Sequence, residues 1–205
     1  MEYISLLLSV LAVAISISTF LLTRIYRGTI KMTRPSIIFF GPDGRGTEQK
    51  KVFIRTLLYS TADRGIYVQN MFIRLQRGES QQNFNVWVYG NNNSDLVRGS
   101  GLFINKTGIS FNHHFLLPKD GIHYNFLSGE YRLEVFVETT KNMPIKIFDQ
   151  LLSIDKYQAD SMNDQKCGVY FDWAPNSQTY YSHIDKLNMG STELTSFISK
   201  STEKP

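Results

Sequence analysis

The hydrophobic residues of this chain follow two different patterns, one near the N-terminus and one in the remainder. Residues 4–22 form a continuous run without a charged side chain, and no other part of the chain has an uncharged run of this length. An α-helix needs about 20 apolar residues to cross a hydrocarbon core of roughly 30 Å. From residue 36 onward, short apolar segments recur at intervals of about ten to fifteen residues and are separated by turn residues. The pattern predicts one transmembrane helix followed by β-strands.

Alternation of apolar and polar residues identifies the individual strands. Segment 131–137 is the clearest strand in the chain. Leu133, Val135 and Val137 occupy one set of alternating positions, and the other set contains the charged residues Arg132, Glu134 and Glu138. Segment 145–154 fits either a strand or a helical turn, and we interpret it as a strand. About eight such segments follow one another without a helical period between them, and this predicts an all-β fold, an antiparallel sandwich or barrel.

The strand that begins at Ile66 changes its phase of alternation. Ile66 and Val68 occupy one set of alternating positions, whereas the apolar residues from Met71 onward occupy the other set. One extra residue in a strand produces such a change, because it shifts every later side chain to the opposite face. We therefore expect a β-bulge near Gln69 and Asn70.

Composition and proline placement divide the chain into three parts. The dipeptide Arg34-Pro35 ends the first, because the residue before a proline is disfavoured in a helix. Residues 1–34 are predicted to be a transmembrane anchor with a basic juxtamembrane segment that continues the helix or forms a short linker. Residues 35–158 are predicted to be the β-sandwich domain. Residues 159–205 are predicted to be an extension that contains aromatic residues and ends in a flexible tail.

The charges that flank the apolar run predict its orientation. Basic residues next to a transmembrane helix tend to stay on the cytoplasmic side. The N-terminal side carries no Lys or Arg, whereas the other side carries four bases within about a dozen residues: Arg24, Arg27, Lys31 and Arg34. We therefore expect the N-terminus outside the cell membrane and the C-terminal domain in the cytoplasm. The single cysteine, Cys167, fits a reducing compartment, since one thiol cannot form an internal disulfide.

A cleaved signal peptide is the alternative to an anchor. Ala12-Val13-Ala14 matches the small-residue pattern of a cleavage site. However, cleavage there would cut the apolar run in half, and the residues before the run contain an acid and no base. The sequence favours an uncleaved anchor.

One face of the predicted helix consists of small residues. Such faces let the backbones of two membrane helices approach closely. The residues recur at spacings of three and four and therefore predict a helix-packing face: Ser5, Ser9, Ala12, Ser16 and Thr19.

Charge is distributed unevenly over the rest of the chain. Residues 24–106 contain thirteen bases and five acids, whereas residues 107–205 contain nine bases and twelve acids. A basic half beside a transmembrane helix suits a position near anionic headgroups. The bases are scattered singly rather than clustered, so we predict no nucleic-acid partner.

Several short segments carry a resemblance to a known class of proteins. They are Arg34-Pro35, the turn at 62–66, Leu117-Pro118-Lys119-Asp120, and the run from Ser128 to Val135. With the apolar helix and its basic flank, the arrangement resembles a loose class of bacterial single-pass membrane proteins that carry an immunoglobulin-like β-sandwich. The resemblance covers about residues 1–155 and implies this architecture without implying any chemistry. The predicted fold is thus an all-β, antiparallel immunoglobulin-like β-sandwich of about eight strands, preceded by one N-terminal transmembrane helix.

Candidate catalytic and metal-binding residues are few. Zinc sites use converging His, Cys and carboxylate ligands, so His113, His114 and His123 are the best candidates. Adjacent residues of a strand point to opposite faces, which separates His113, predicted to pack with Phe115, from His114. No nucleophile or phosphate-loop motif occurs, and Cys167 is interpreted as an inert thiol. We predict no catalytic residue, no metal and no cofactor.

Aromatic residues are densest after residue 169. If exposed they would form a contact surface for a protein or glycan, because Tyr and Trp are enriched at interfaces. If buried they would instead cap one end of the sandwich. The group comprises Tyr170, Phe171, Trp173, Tyr180 and Tyr181.

The expected function follows from these features. We expect a single-pass, membrane-anchored β-sandwich that acts as a non-catalytic protein-binding, sensing or scaffold module at the inner face of the membrane. Its expected partners are the lipid bilayer and either another protein or a second copy through the transmembrane helix. The alternative is a membrane-tethered enzyme or ligand-binding barrel whose pocket lies around His113 and His123.

Overall fold

The computed structural model describes residues 2–25, 28–43, 49–118, 123–140, 142–164 and 167–185. Helix α1 spans Glu2–Phe20 and continues through a π-helical turn at Leu21–Ile25. Its segment Glu2–Thr23 has a mean hydropathy of 2.4, and none of it is buried against the rest of the protein. The helix is long and apolar enough to cross a membrane, as predicted.

Strands make up most of the remaining structure. The first six are β1 (Ile30–Met32), β2 (Ile37–Pro42), β3 (Lys50–Ser60), β4 (Ile66–Arg77), β5 (Ser80–Phe84) and β6 (Val86–Gly90). The next five are β7 (Val97–Arg98), β8 (Leu102–Ile104), β9 (Ile109–Leu116), β10 (Gly129–Thr139) and β11 (Asn142–Ile154). Helix α2 (Lys156–Asp164) separates these from β12 (Gly168–Ala174) and β13 (Thr179–Asp185).

The strands form two antiparallel sheets. The first sheet has the order β13-β12-β2-β3-β9-β6-β7, and β1 also pairs with β3. The second sheet has the order β11-β10-β4-β5, and β8 also pairs with β4. The prediction of an all-β, antiparallel fold after one N-terminal helix is confirmed, and segment 145–154 is a strand. The described residues contain more than eight strands because the short strands β1, β5 and β7 also join the sheets and the C-terminal hairpin adds two more.

The hydrophobic core lies between the inner faces of the two sheets. Leu133, Val135 and Val137 of β10 are fully buried there, opposite residues of the first sheet such as Ile38 and Ile54. Burying one such side chain contributes about 1.5–3 kcal/mol. The alternation in β10 therefore faces the core as predicted.

The predicted bulge lies in β4. Asn70 pairs with Glu138 and Val68 pairs with Thr139, so Gln69 has no residue opposite it in β10. Val68 and Met71 are both buried in spite of their odd spacing. The prediction of a bulge at this position is confirmed.

A tyrosine fixes the start of β10. The hydroxyl of Tyr131 donates to the carbonyl of Leu127 and accepts from the amide of Leu127, each over 2.8 Å. The ring itself is buried in the core. The hydroxyl thus satisfies two backbone groups where the chain crosses from one sheet to the other.

Segment 24–34 differs from its prediction as a helix continuation or linker. The helix ends at Ile25, and Ile30 and Met32 pair with Ser60 and Leu58 at the end of β3. The physical reason is burial, because Ile30 enters the core at 1% exposure and its strand gains backbone hydrogen bonds. Arg27 lies outside the described residues.

The C-terminal part also joins the sandwich. The predicted boundary between residues 158 and 159 falls inside α2, and β12 pairs with β2 through Val169–Asp172. Strand β13 then pairs with β12 as the outermost strand of the first sheet. The predicted flexible tail, from residue 187, lies outside the described residues.

The junction between helix and sandwich depends on Gly28. This glycine has a φ of +65°, and a Cβ atom built on it would lie 2.8 Å from Ala62 Cβ and from Thr61 Oγ1. Close approach lets the Thr29 amide donate to Thr61 Oγ1 over 2.8 Å, and the Thr61 amide donate to the Thr29 carbonyl over 3.0 Å. The junction is therefore bonded to the end of β3.

We expect Gly28→Ala to destabilise the sandwich by about 2 kcal/mol or more, because it adds a steric clash to an unfavourable positive φ. The control is Gly78→Ala, at φ +56° with no atom within 4 Å of the added Cβ. It should cost only the conformational part, about 1 kcal/mol. Urea unfolding of the full chain in detergent, followed by tryptophan fluorescence, measures both. Equal losses would contradict the tight contact at Gly28.

Candidate functional site

The β12–β13 hairpin brings two of the predicted aromatic residues together. Trp173 and Tyr180 are directly paired across the hairpin, and their ring centroids lie 5.1 Å apart. Because paired residues of adjacent strands share a face, the two rings form one half-buried surface. They are the centre of the candidate site.

The segment before β2 is bound to these two rings. The guanidinium carbon of Arg34 lies 4.1 Å from the centroid of the Trp173 ring, and its Nη1 donates to Gln150 Oε1 over 2.8 Å. The Tyr180 hydroxyl donates to the Pro35 carbonyl over 2.7 Å. Burial raises the pKa of Tyr180, which keeps the hydroxyl protonated as a donor. Arg34, predicted as a juxtamembrane base, is therefore also a structural contact.

A cleft of about 230 Å³ opens beside Tyr180, between the hairpin and β11. We call it the edge cleft. Its wall from the second sheet contains Leu151 and the polar groups of Glu130 and Ser153, and its wall from β13 contains hydroxyl side chains. The residues that line it include Glu130, Leu151, Ser153, Thr179, Tyr180 and Ser182. The cleft can thus hold one polar or basic side chain with an apolar stem.

The outer edge of β13 borders this cleft. Among the described residues no strand pairs with that edge, so the backbone groups that point outward have no partner strand there. Tyr181 is 59% exposed, and residues 179–185 contain neither proline nor lysine. By contrast, the edge strand β11 carries Pro144, Lys146 and a register shift, features that discourage pairing. The β13 edge is the more open of the two.

The other predicted aromatic residues lie elsewhere. Phe171 is buried in the core at 1% exposure. Tyr170 lies on the outer face of the first sheet, with ring centroids 4.8 Å from Phe39 and 5.5 Å from His183. The group predicted from sequence therefore divides between core, outer face and edge, because successive strand residues alternate in direction.

His113 lies in the core, on the opposite face of β9 from His114. It packs beside Phe115 as predicted, and Trp87 Nε1 donates to its Nδ1 over 3.1 Å. Its Nε2 is buried without a hydrogen-bond partner among the described residues. Burial, with a smaller contribution from His114, lowers the pKa of His113 to about 3. His113 is therefore neutral at physiological pH.

The candidate histidines do not converge. The His114 ring lies tilted against Phe53 on the outer face of its sheet, with 4.9 Å between the ring centroids, and His123 is exposed. Among the described residues, His113 and His123 therefore share no pocket, since His113 is buried in the core and His123 is exposed. Within the described ranges, no three His, Cys, Asp or Glu side chains are placed to hold a metal ion.

Trp87 was missed by sequence reasoning. It is 2% exposed and pairs with Phe115 on the inner face of the first sheet. Strand periodicity would identify Trp87 as a core residue if its neighbours were polar. Val86 and Val88 are both apolar, so the alternation does not indicate which face is buried.

Acidic residues on the outer face of the second sheet are paired with bases. Glu134 accepts from Lys146 Nζ over 2.8 Å and lies 3.8 Å from atoms of Arg74 and Arg132. Hydrogen bonds from Arg132 lower the pKa of Asp149 to about 2. Both carboxylates lie against Arg and Lys side chains, so the arrangement is a salt-bridge network. Its residues and geometry do not form an acid–base pair.

Cys167 is buried, and its thiol donates to the Ser161 carbonyl over 2.8 Å. Burial limits solvent access to this thiol, and access is one of the conditions that a nucleophilic cysteine needs.

The predicted helix face is exposed along α1. The Ser9 hydroxyl donates to the Ser5 carbonyl, and the Thr19 hydroxyl donates to the Ile15 carbonyl. These hydroxyl protons are bonded within the helix. The face would therefore contact a second helix through close approach of its small residues. Of the predicted juxtamembrane bases, Arg24 lies in the last turn and Lys31 is exposed on β1.

Comparison with known proteins gives no family for the chain. No protein-family model matches it, and no curated protein has a significantly similar sequence.

We expect the stability of the sandwich to fall below about pH 6.5, because His113 is neutral when folded. The unfolded chain takes up a proton there near pH 6.5, whereas the folded chain does so only near pH 3. The free energy of unfolding therefore has its full value above pH 6.5. Below that pH it falls by about 1.4 kcal/mol per pH unit until the pH approaches 3. Urea unfolding at pH 7, 6, 5 and 4 measures it.

His113→Gln retains an acceptor for Trp87 but cannot take up a proton, so its stability should fall less steeply with acid. Exposed His123→Gln is the matched control and should behave as the parent does. The same slope in His113→Gln and in the parent would refute the assignment.

Proposed function

We propose that the chain is a membrane-anchored, non-catalytic β-sandwich that binds an extended segment of a partner protein at the outer edge of β13. The observation that carries the proposal is the open edge of β13 beside the edge cleft. An added strand gains backbone hydrogen bonds from such an edge, and a neighbouring pocket selects its side chains.

The edge cleft supports a specific kind of segment. Tyr180 and Ser182 face the cleft, so every second side chain of a strand added to β13 would point into it. The Glu130 carboxylate and the Ser153 hydroxyl favour a basic or polar side chain there, and Leu151 accommodates its apolar stem. The Ser182 hydroxyl already accepts from Gln158 Nε2 over 2.8 Å.

We also propose that the sandwich is immunoglobulin-like. The order β2-β3-β9-β6 corresponds to strands A-B-E-D, and β11-β10-β4-β5 corresponds to G-F-C-C′. The bonds from Tyr131 to Leu127 correspond to the tyrosine corner of that architecture. The hairpin β12–β13 would then be an addition to strand A.

The proposed location is the inner face of the cell membrane, with α1 as an uncleaved anchor. The support is the apolar segment Glu2–Thr23 together with the bases that follow it. Self-association through the small-residue face of α1 is compatible with edge binding, because the two surfaces belong to different elements.

A photocrosslinking residue at Tyr181 should capture the partner segment in living cells, and the same residue at Gln81 on β5 is the control. The captured segment is then synthesised as a peptide, and its dissociation constant is measured for the parent chain and for the variants Tyr181→Pro and Ser182→Pro. Successive amides of a strand point to opposite edges, so only one of these prolines removes an outward N–H.

That variant should keep the fold and bind at least about fivefold more weakly, the loss of about one hydrogen bond. Unchanged binding in the folded variant, or a crosslink only to residues 186–205 of the same chain, would refute edge binding.

The topology proposal predicts that a reporter fused after Pro205 behaves as cytoplasmic. Changing Arg24, Arg27 and Lys31 to Gln while adding Lys after Met1 should invert part of the population, since basic flanks set orientation. Arg34 is kept because it packs on Trp173. Strong activity of a periplasm-specific reporter in the parent chain would overturn the orientation.

A further inference from the structure

An exposed apolar patch lies at one end of the second sheet. Its members are Tyr67, Phe103 and Met143, with 61%, 46% and 84% of their surfaces exposed. We call these three residues the end patch. The rings of Tyr67 and Phe103 are directly paired, 4.8 Å apart, and Phe103 lies over Gly65, where a Cβ atom would come within 2.2 Å of it. The two rings are therefore fixed in place while remaining open to the surroundings.

The end patch is at the same end of the sandwich as the junction with α1. The Thr61 amide donates to Thr29 over 3.0 Å, and the Ser60 amide donates to Asn105, next to β8, over 3.0 Å. Strand β8 carries Phe103. Strand β11, which carries Met143, begins at the same end, since its first residue Asn142 pairs with Thr139, the last residue of β10. A short series of backbone hydrogen bonds thus connects the anchored segment to the patch.

Chain length brings this end close to any membrane that holds α1. Ile25 ends the helix and Ile30 begins β1. Five residues span at most about 18 Å when fully extended. Each headgroup layer is about 5–8 Å thick, so Ile30 lies near the interface, and the end of the sandwich that Ile30 joins is the end that carries the patch.

The chemistry of the patch fits that interface. Aromatic rings with a polar tip concentrate at the headgroup level of membranes. The same end carries the bases Lys31, Arg64 and Lys106, with Asp63 bonded to Lys106 over 2.9 Å. Each basic residue near an anionic surface contributes about 1 kcal/mol of attraction.

We propose that the end patch rests in the headgroup layer of the bilayer that α1 spans, and thereby sets the tilt of the sandwich on the membrane. The inference rests on the proposed membrane anchoring. Continuity with the apolar helix favours lipid over a separate protein, because the covalent connection already holds the patch at the interface.

The test uses the full chain in vesicles of phosphatidylcholine and phosphatidylglycerol, with and without brominated acyl chains that quench nearby tryptophan. Tyr67→Trp reports on the patch. Tyr157→Trp is the matched control, because Tyr157 is 72% exposed and lies at the opposite end of the sandwich. It belongs to α2, which begins just after Ile154, and Ile154 pairs with Gly129 at the far end of β10. The two ends of β10 are about 33 Å apart.

After subtraction of the parent signal from Trp87 and Trp173, we expect brominated lipid to quench the added fluorescence of the Tyr67→Trp variant at least twofold. The added fluorescence of the Tyr157→Trp variant should change little. Phe103→Trp provides a second reporter if Tyr67→Trp does not fold.

Equal quenching at both ends would overturn lipid contact. Lipid contact would also be overturned if the Tyr67→Trp emission shifted to the blue with increasing protein density in the vesicles and brominated lipid did not quench it. That result would assign the patch to contact with a second copy of the chain. Flotation of the chain with vesicles after alkaline washing tests anchoring separately, so failure there contradicts the proposed function itself.

Discussion

Residues 28–33, which lead into β2, are bonded to the end of β3, and this constraint organises the rest of the described structure. Gly28 allows the chain to approach Ala62, Thr29 bonds with Thr61, and β1 pairs with the end of β3. The Thr33 amide adds a bond to the Leu57 carbonyl over 2.9 Å. Movement of residues 28–33 would break strand pairing and expose Ile30. This end of the sandwich is therefore held by the residues that lead into β2.

The same segment also orders the C-terminal hairpin. Immediately after β1, Arg34 packs on Trp173 and the Pro35 carbonyl accepts from Tyr180. A cation–π contact contributes about 0.5–1 kcal/mol at an exposed site and about 2 kcal/mol when it is desolvated. These contacts join residues far apart in sequence, so the C-terminal hairpin and the segment that leads into β2 share one set of interactions. A partner strand at that edge would add to a surface already ordered in the free protein, which reduces the entropy cost of binding.

The polar groups that first suggest chemistry in this chain have structural explanations. His113 is kept neutral by burial and accepts from Trp87, while Glu134 and Asp149 are paired with Arg and Lys side chains. Buried or half-buried polar groups of this kind are stable only when they are paired, because desolvation costs more than an isolated group can recover. The unpartnered Nε2 of His113 is the exception among these groups, and it makes the core sensitive to acid.

Local sequence pattern determined the features that depend on neighbouring residues. The uncharged run predicts α1, the alternation in segment 131–137 predicts the buried face of β10, and the change of phase after Val68 locates the bulge at Gln69. Each of these depends on side-chain direction within one element, which a periodicity of two or 3.6 residues reports directly. The separation of His113 from His114 follows for the same reason.

Tertiary structure alone decided which elements pair and which side chains meet. Strand β1 is three residues long and gives no periodic signal, yet it joins the first sheet because Ile30 fills the core. The pairing of β12 with β2 brings Trp173 to Arg34 across more than a hundred residues, and the end patch forms only because β4 and β8 are neighbours. Such contacts depend on the summed burial of the whole sandwich, and no local segment of the sequence contains that information.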